Sequence, residues 1–325
     1  MTQYKTKLER MIVEENPTND QINEKILRDI NYSRKQLESD LEHLKEWLKD
    51  QHHLPACRLK EHDNFLTNYL TGCKGSLETV KRKLDAYYTL RGKVEVYSNR
   101  DPLDEEYRKT SKISNLFVIP KYTENGESLF ISKLLTTEIY PSLTINNLKR
   151  VINACEVIFR LEPLFKPNIV LLDHANYTPT HAAMFSPTLY KDFLHIMQHV
   201  FPSRIKKIIL INVPSYLEII VNTFIKAFLT KKFKDRLLVT SEGWEIVSQH
   251  VNKSILPKDC GGDLRYTLKE INDAYNEYEI TNRDWWINEL SEQTDESKRN
   301  NTDDNYKGGD TYFGVQGTLK KLVID

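Results

Sequence analysis

Apolar and polar positions in the first third of the chain repeat at helical spacing. Between residues 21 and 50, Ile22, Ile26, Ile30, Leu37, Leu41, Leu44 and Leu48 recur mostly three or four apart with polar residues between them, which lays an apolar stripe along one long or broken helix. Pro55 interrupts this pattern, because it lacks an amide proton and pushes Leu54 towards extended backbone. A second helix is expected over about 62–70, with Phe65, Leu66, Tyr69 and Leu70 on its apolar side and Gly72 to end it. Ser76 is placed to cap a third, carrying Leu77, Val80, Leu84 and Tyr88 towards Gly92.

The pattern changes after the turn-forming NRDP at 99–102. Two short β-rich runs, NLFVIP and ESLFISKLL, flank Glu124, Asn125 and Gly126 and predict a strand pair. Helices at 144–160, 186–199, 215–229 and 242–251 then alternate with strands at 168–173, 207–212 and 236–239. Strand runs that are apolar throughout are buried on both faces, so the sheet should be mixed or largely parallel and flanked by helices. The fold class is therefore an all-helical three-helix unit followed by an α/β unit. The expected division is a flexible start (1–20), a helical domain (21–95), an α/β domain (96–290) and a mostly flexible tail (291–325). The tail's DESKRNNTDDNYKGGD run is too poor in apolar side chains to pack.

Composition narrows the function classes. No apolar run approaches the ~20 residues that span a bilayer, and no apolar core follows the basic start as a secretory leader requires, so a cytoplasmic location is expected. Forty-six basic residues against forty-six acidic ones leave no global field for nucleic acid or membranes. Cys57, Cys73, Cys155 and Cys260 form no CxxC pair and read as reduced thiols, with no metal or cofactor expected. Neither GxSxG, GxGxxG nor GxxxxGK[ST] occurs. Asp173 and His174 close a central strand and His181 follows in the next loop, a place where α/β active sites lie. The competing reading is a turn or helix cap, and no catalytic residue is assigned. His52 and His53 read as solvated loop residues.

The 215–229 helix, SYLEIIVNTFIKAFL, is apolar over well more than half its circumference, beyond what one sheet face needs. It is either buried between sheet and neighbour or a lid over an apolar pocket. From Lys191 to Arg236, nine Lys or Arg stand against three acids. Clusters of this kind beside an apolar element recognise anionic headgroups at about 1 kcal/mol per charge; a solvated positive face is the alternative.

The helical front with LPACRLKEHDNFLTNYLTGCKGSLETVKRKLDAYY and the ILPKDCGGDL segment at 255–264, similar to an LPxxYGG signature with Cys260 at the usual aromatic position, resemble the CRAL-TRIO lipid-transfer family. Within that family it resembles the branch related to α-tocopherol transfer protein and retinaldehyde-binding protein, and the closing GVQGTLKKLVID is similar to tails of arthropod members. The resemblance implies a non-enzymatic carrier of one hydrophobic small molecule, such as a tocopherol, retinoid or carotenoid. Its pocket would be lined by Leu148, Ile152, Cys155, Ile169, Leu171, Phe193, Ile196, Met197, Phe201, Ile208 and Leu210. It implies a mobile gate helix with Val213, Tyr216, Leu217, Ile220, Val221, Phe224, Ile225 and Phe228, and phosphoinositide binding by Arg204, Lys206, Lys232 and Arg236 during transient contact with anionic membranes. A phosphoinositide-sensing adaptor without cargo, and more remotely a hydrolase built on Asp173 and His174, are the rival functions.

Overall fold

The computed structural model describes residues 5–55, 63–289 and 291–299. Cys57 and the closing 314–325 segment lie outside these described residues.

Within the 1–20 segment, expected as flexible, residues 7–15 are helical. Thr6 and Glu9 form a capping box that opens helix α1 (Lys7–Glu15). Leu8, with Met11 and Ile12 one helical turn further on, buries its inner face in the core of the α/β unit. The 21–50 stripe resolves into α2 (Asn19–Asp29) and α3 (Arg34–Asp50), broken where Asn31 adopts a φ of 54°. Then come α4 (Asp63–Gly72) and α5 (Leu77–Arg91), the latter capped by the Ser76 hydroxyl accepting from the Thr79 amide. The left-handed turn after α4 falls at Lys74 and Gly75 (φ 55° and 75°), not at Gly72. Gly72 serves close approach instead, since a methyl group there would run into the Pro202 carbonyl. His53 is not solvated: its Nε2 lies 3.1 Å from Asp85 Oδ2 and the residue is 7% exposed.

An unforeseen short helix, α6 (Glu105–Ile113), is capped by Asp104. Strands β1 (Ser114–Val118) and β2 (Ser128–Leu134) pair antiparallel, as the two β-rich runs foretold. After α7 (Leu143–Leu161), β3 (Asn168–Asp173) adds parallel to β2, followed by α8 (Pro179–Ala183) and α9 (Pro187–His195). A wide π turn prolongs α9 over Ile196–Val200. Strand β4 (Ile205–Ile211) leads to α10 (Ser215–Ile220), which runs through a second π turn (Val221–Ile225) into α11 (Lys226–Phe228). Helix α12 (Lys231–Lys234) and β5 (Leu237–Val239) complete a mixed sheet of order β1-β2-β3-β4-β5. The helix expected over 242–251 is only a 3-10 stretch, Trp244–Gln249. Two helices not foreseen, α13 (Leu268–Thr281) and α14 (Arg283–Glu289), follow.

One sheet face is sealed: Ile169, Leu171, Ile209 and Ile211 pack in a cluster with Leu8, Ile271 and Tyr275 from α1 and α13. The Gly261–Gly262 turn leads into that layer, with Gly261 at φ 76° and Gly262 too close to the Leu256 carbonyl to carry a side chain. The helical unit shares a second core with α7 and α9, where Tyr87, Phe159 and Phe201 meet and the Phe159–Phe201 rings stand edge-on at 5.3 Å. Beside it, Arg100 reaches Glu156 at 2.7 Å and Arg91 reaches Glu289 at 3.2 Å, all four residues at most 5% exposed. A shared apolar core and desolvated ion pairs join the two units firmly, because separation would strand charges and expose aromatic rings together.

Candidate functional site

The other sheet face is not sealed by packing. Helices α9, α10 and α11 stand off it and leave a cavity of about 310 Å³ running between the sheet, α7 and the 215–228 helix. Its signature is visible in the side chains: α9 has no fully buried residue although Tyr190, Phe193 and Leu194 face inward, because they border open space rather than atoms. Strand β3 shows the same thing in alternation. Ile169 and Leu171 are buried against the sealed layer, while Val170 and Leu172 are half-buried and line the cavity. The strand face that touches the lumen, from Ser128 to Leu134 on β2, is roughly 20 Å long at ~3.3 Å per residue.

Of the side chains proposed as lining, Leu148, Cys155, Phe193, Met197, Phe201, Ile208 and Leu210 border this cavity. Ile152 and Ile196 do not; both are fully buried in the core shared with the helical unit. Ile169 and Leu171 do not either, because successive strand residues point to opposite faces. The register pairs Val170 with Ile208 and Leu172 with Leu210, so choosing Ile208 and Leu210 requires the even residues of β3. Burial pushes the Cys155 thiol up to about 12, which makes it an inert wall group.

Val213, Leu217, Ile220, Val221 and Ile225 present the lumen side of the covering segment. Tyr216 donates its hydroxyl to the Tyr177 carbonyl at 2.7 Å. Phe224 turns outward, 40% exposed and 5.5 Å from the Phe185 ring, and Ile219 is 65% exposed. Phe228 is half-buried and does not line the cavity. The segment's C-terminal end is held by Gln198, which donates to the Phe228 carbonyl at 3.1 Å and accepts from the Thr230 amide at 2.8 Å. Lys83 of α5 in turn donates to the Phe201 carbonyl at 2.6 Å, tying that end of α9 to the helical unit.

Three of the four basic positions come together. Burial depresses the Lys232 ammonium, and the nearby cations Arg236, Lys74 and Arg204 depress it further. Burial likewise lowers Arg204, whose Nη1 is buried without a hydrogen-bond partner. Arg236 donates to the Ile205 carbonyl. Lys206 is paired with Glu127 at 2.8 Å. Lys74, from the turn after α4, joins the cluster from the helical unit; nothing local in the sequence marks it, since only the fold brings it near.

Asp173 is saturated: Oδ1 accepts from the Ala175 amide (3.0 Å) and Asn212 (2.8 Å), Oδ2 from Trp244 Nε1 (2.7 Å) and Lys133 (3.1 Å). Burial raises its pKa, yet these four donors outweigh burial and hold the carboxyl below the usual range. It organises the strand ends. Among the described residues no group of three His, Cys, Asp or Glu is placed to hold a metal ion, and no helix is long and apolar enough to cross a membrane.

Two family models match: a CRAL/TRIO domain over residues 113–262, which contains the sheet and the cavity cover, and a Pinta-like UBA domain over 33–107, which spans the helical front. Residues 113–262, just under half of the chain, thus carry a CRAL/TRIO domain, the domain of a family of lipid-binding transfer proteins. It is 34% identical over 96 residues to human (Homo sapiens) "Alpha-tocopherol transfer protein-like", covering 29% of this chain and 27% of that protein. It is 25% identical over 134 residues to "Clavesin-2" of Rattus norvegicus, covering 38% and 41%. The matched stretches thus span less than half the length of these curated relatives. The crystal structure of Sfh5 aligns with a TM-score of 0.45 and 11% identity, over 78% of this chain and 99% of that one.

Proposed function

We propose that this chain is an intracellular carrier that encloses one hydrophobic small molecule and exchanges it at anionic membranes. The observation that carries the reading is the unsealed sheet face: apolar side chains of β3, β4, α7 and α9 border a void under the 215–228 helix instead of packing against one another. Proteins pack their interiors to near-crystalline density, so a retained apolar void of this size is a place for a guest. Burying the guest's apolar surface contributes about 25 cal/mol per Å² and favours the closed cover.

In the proposed cycle the closed protein keeps its cargo from water. At a membrane, the outward Ile219 and Phe224 enter the lipid surface while Arg204, Lys232, Arg236 and Lys74 meet a phosphoinositide headgroup. The cover segment then swings and the cargo leaves; no covalent step is involved. Lys206 contributes less than the others in this reading, because Glu127 already compensates it. The test is transfer of a fluorescent neutral lipid from donor to acceptor liposomes. The carrier accelerates it, and more so when acceptors contain phosphatidylinositol bisphosphate; an adaptor would bind those acceptors without accelerating transfer.

A further inference from the structure

The sealed sheet face runs out at the carboxyl ends of β2 and β3, the place where open α/β sheets take ligands. There a second cavity, of about 730 Å³, opens between α6, β1, β2, α13 and the 3-10 stretch that starts at Trp244. Its size suits a small molecule. It stands back to back with the cargo cavity: Asp173 lines the latter, while its donors Lys133 and Trp244 line this cleft. Asn115 lies opposite Lys133 across β1 and β2, so both side chains share one face. Two residues on, Phe117 already stacks on Tyr275 in the sealed core, ring centres 5.8 Å apart.

Asn115 lines the cleft and is 3% exposed, yet its Oδ1 is buried with no hydrogen-bond partner and its Nδ2 has no acceptor among the described residues. A buried amide left unpaired is costly, so it marks a place for an outside partner. Asn272, also in the lining, shows the contrast: it accepts from Arg150 at 2.9 Å and donates to the Ser111 carbonyl at 2.9 Å. Charge in the cleft is balanced. Lys133 is paired with Asp173 at 3.1 Å and Lys269 with Asp273 at 2.6 Å. The other two charged groups of the lining, Lys112 and Asp259, are exposed and of opposite sign. The cleft therefore favours an uncharged ligand over an ion of either sign. Trp244, Leu268 and Leu135 add an apolar wall, and Leu135 is 41% exposed at its mouth. Burial pushes the Cys260 thiol up to about 12, so the cleft binds rather than reacts.

We propose that this cleft is a second binding site, for an uncharged planar small molecule that carries a hydrogen-bond donor beside an acceptor, as a carboxamide or a nucleobase edge does. The ligand pairs edge to edge with the Asn115 amide, as an asparagine pairs with adenine, and rests against Trp244. The site is independent of the cargo. The experiment is saturation-transfer NMR titration of the full chain at pH 7.5 with benzamide, methyl benzoate, benzoate and adenosine. Benzamide is expected to bind at least about fivefold tighter than methyl benzoate, which keeps the ring and carbonyl but loses the donor, and than benzoate, which adds charge. Adenosine binding tighter than benzamide marks a nucleobase site, and weaker binding marks a carboxamide site. Val170→Phe puts a ring into the cargo cavity and should leave these affinities unchanged. Asn115→Leu, checked for native melting, should erase the benzamide preference while uptake of Nile red, a probe of the cargo cavity, persists. Asn115→Ala repeats the test if leucine disturbs packing. Three results overturn the inference and leave the carrier reading standing: equal binding of the three benzoyl probes, a preference that survives in a folded Asn115 variant or vanishes in Val170→Phe, and no binding at all because water alone meets Asn115.

Discussion

Val170 on β3 stands beside Ile208 on β4 in parallel register, and both side chains enter the cavity, while their neighbours Ile169 and Ile209 lie in the sealed core. One strand therefore separates a ligand face from a structural face residue by residue. Val170→Phe should fill lumen and lower cargo uptake severalfold with a near-native melting temperature. Leu171→Ala, one position on, should cost ~2–5 kcal/mol in urea unfolding with little change in cargo selectivity. Equal destabilisation by both would mean the lumen is closed in solution.

Gln198 clasps the cover segment to α9 through two hydrogen bonds, each worth about 1 kcal/mol. Gln198→Ala should speed spontaneous release of a bound fluorophore about three- to tenfold and lower stability in urea by no more than about 2 kcal/mol. Stopped-flow dilution into liposomes reads the rate.

Lys232→Glu should weaken binding to phosphatidylinositol bisphosphate vesicles at least tenfold and flatten its salt dependence, because it places a carboxylate among Arg204, Arg236 and Lys74. Lys74→Glu should act in the same direction. Lys206→Glu should do less, since it loses one exposed pair with Glu127. Vesicle sedimentation separates the three.

Asp173 supplies acid sensitivity. Its folded pKa lies below its ordinary value of 3.8, so its contribution to stability is present above that value and is lost as pH falls through the lower, folded one. Asp173→Asn should be destabilised at pH 7 by about 1–3 kcal/mol, through donors left without a charged acceptor. Its deficit relative to the parent should shrink as urea curves are taken towards pH 3.

Much of this was readable from local pattern. The 3.6-residue stripes and Ser76 located α3 and α5, and the unbroken apolar runs located β2, β3 and β4. The excess apolar surface at 215–229 left two readings open, a helix buried between sheet and neighbour or a lid over a pocket. What escaped was set by tertiary partners. Ile152 is a good helix-face residue in either role, and only the arrival of α4 and α5 beside α7 decides that it packs rather than lines. Ile169 and Leu171 were misread because a strand apolar on both faces gives no alternation to choose by, and only the register with β4 does. The helix at Lys7–Glu15 left a short stripe, Leu8, Met11 and Ile12, that is legible once its capping box is noticed. Lys74 joins Arg204, Lys232 and Arg236 from a separate element, which no local window brings together.

Native mass spectrometry of the purified full chain, followed by organic extraction and accurate-mass analysis, is the direct measurement. One hydrophobic small molecule per chain, displaced in Val170→Phe, is the predicted result. A chain that carries no lipid after expression, takes up none from liposomes and is stabilised rather than emptied by Val170→Phe would contradict it.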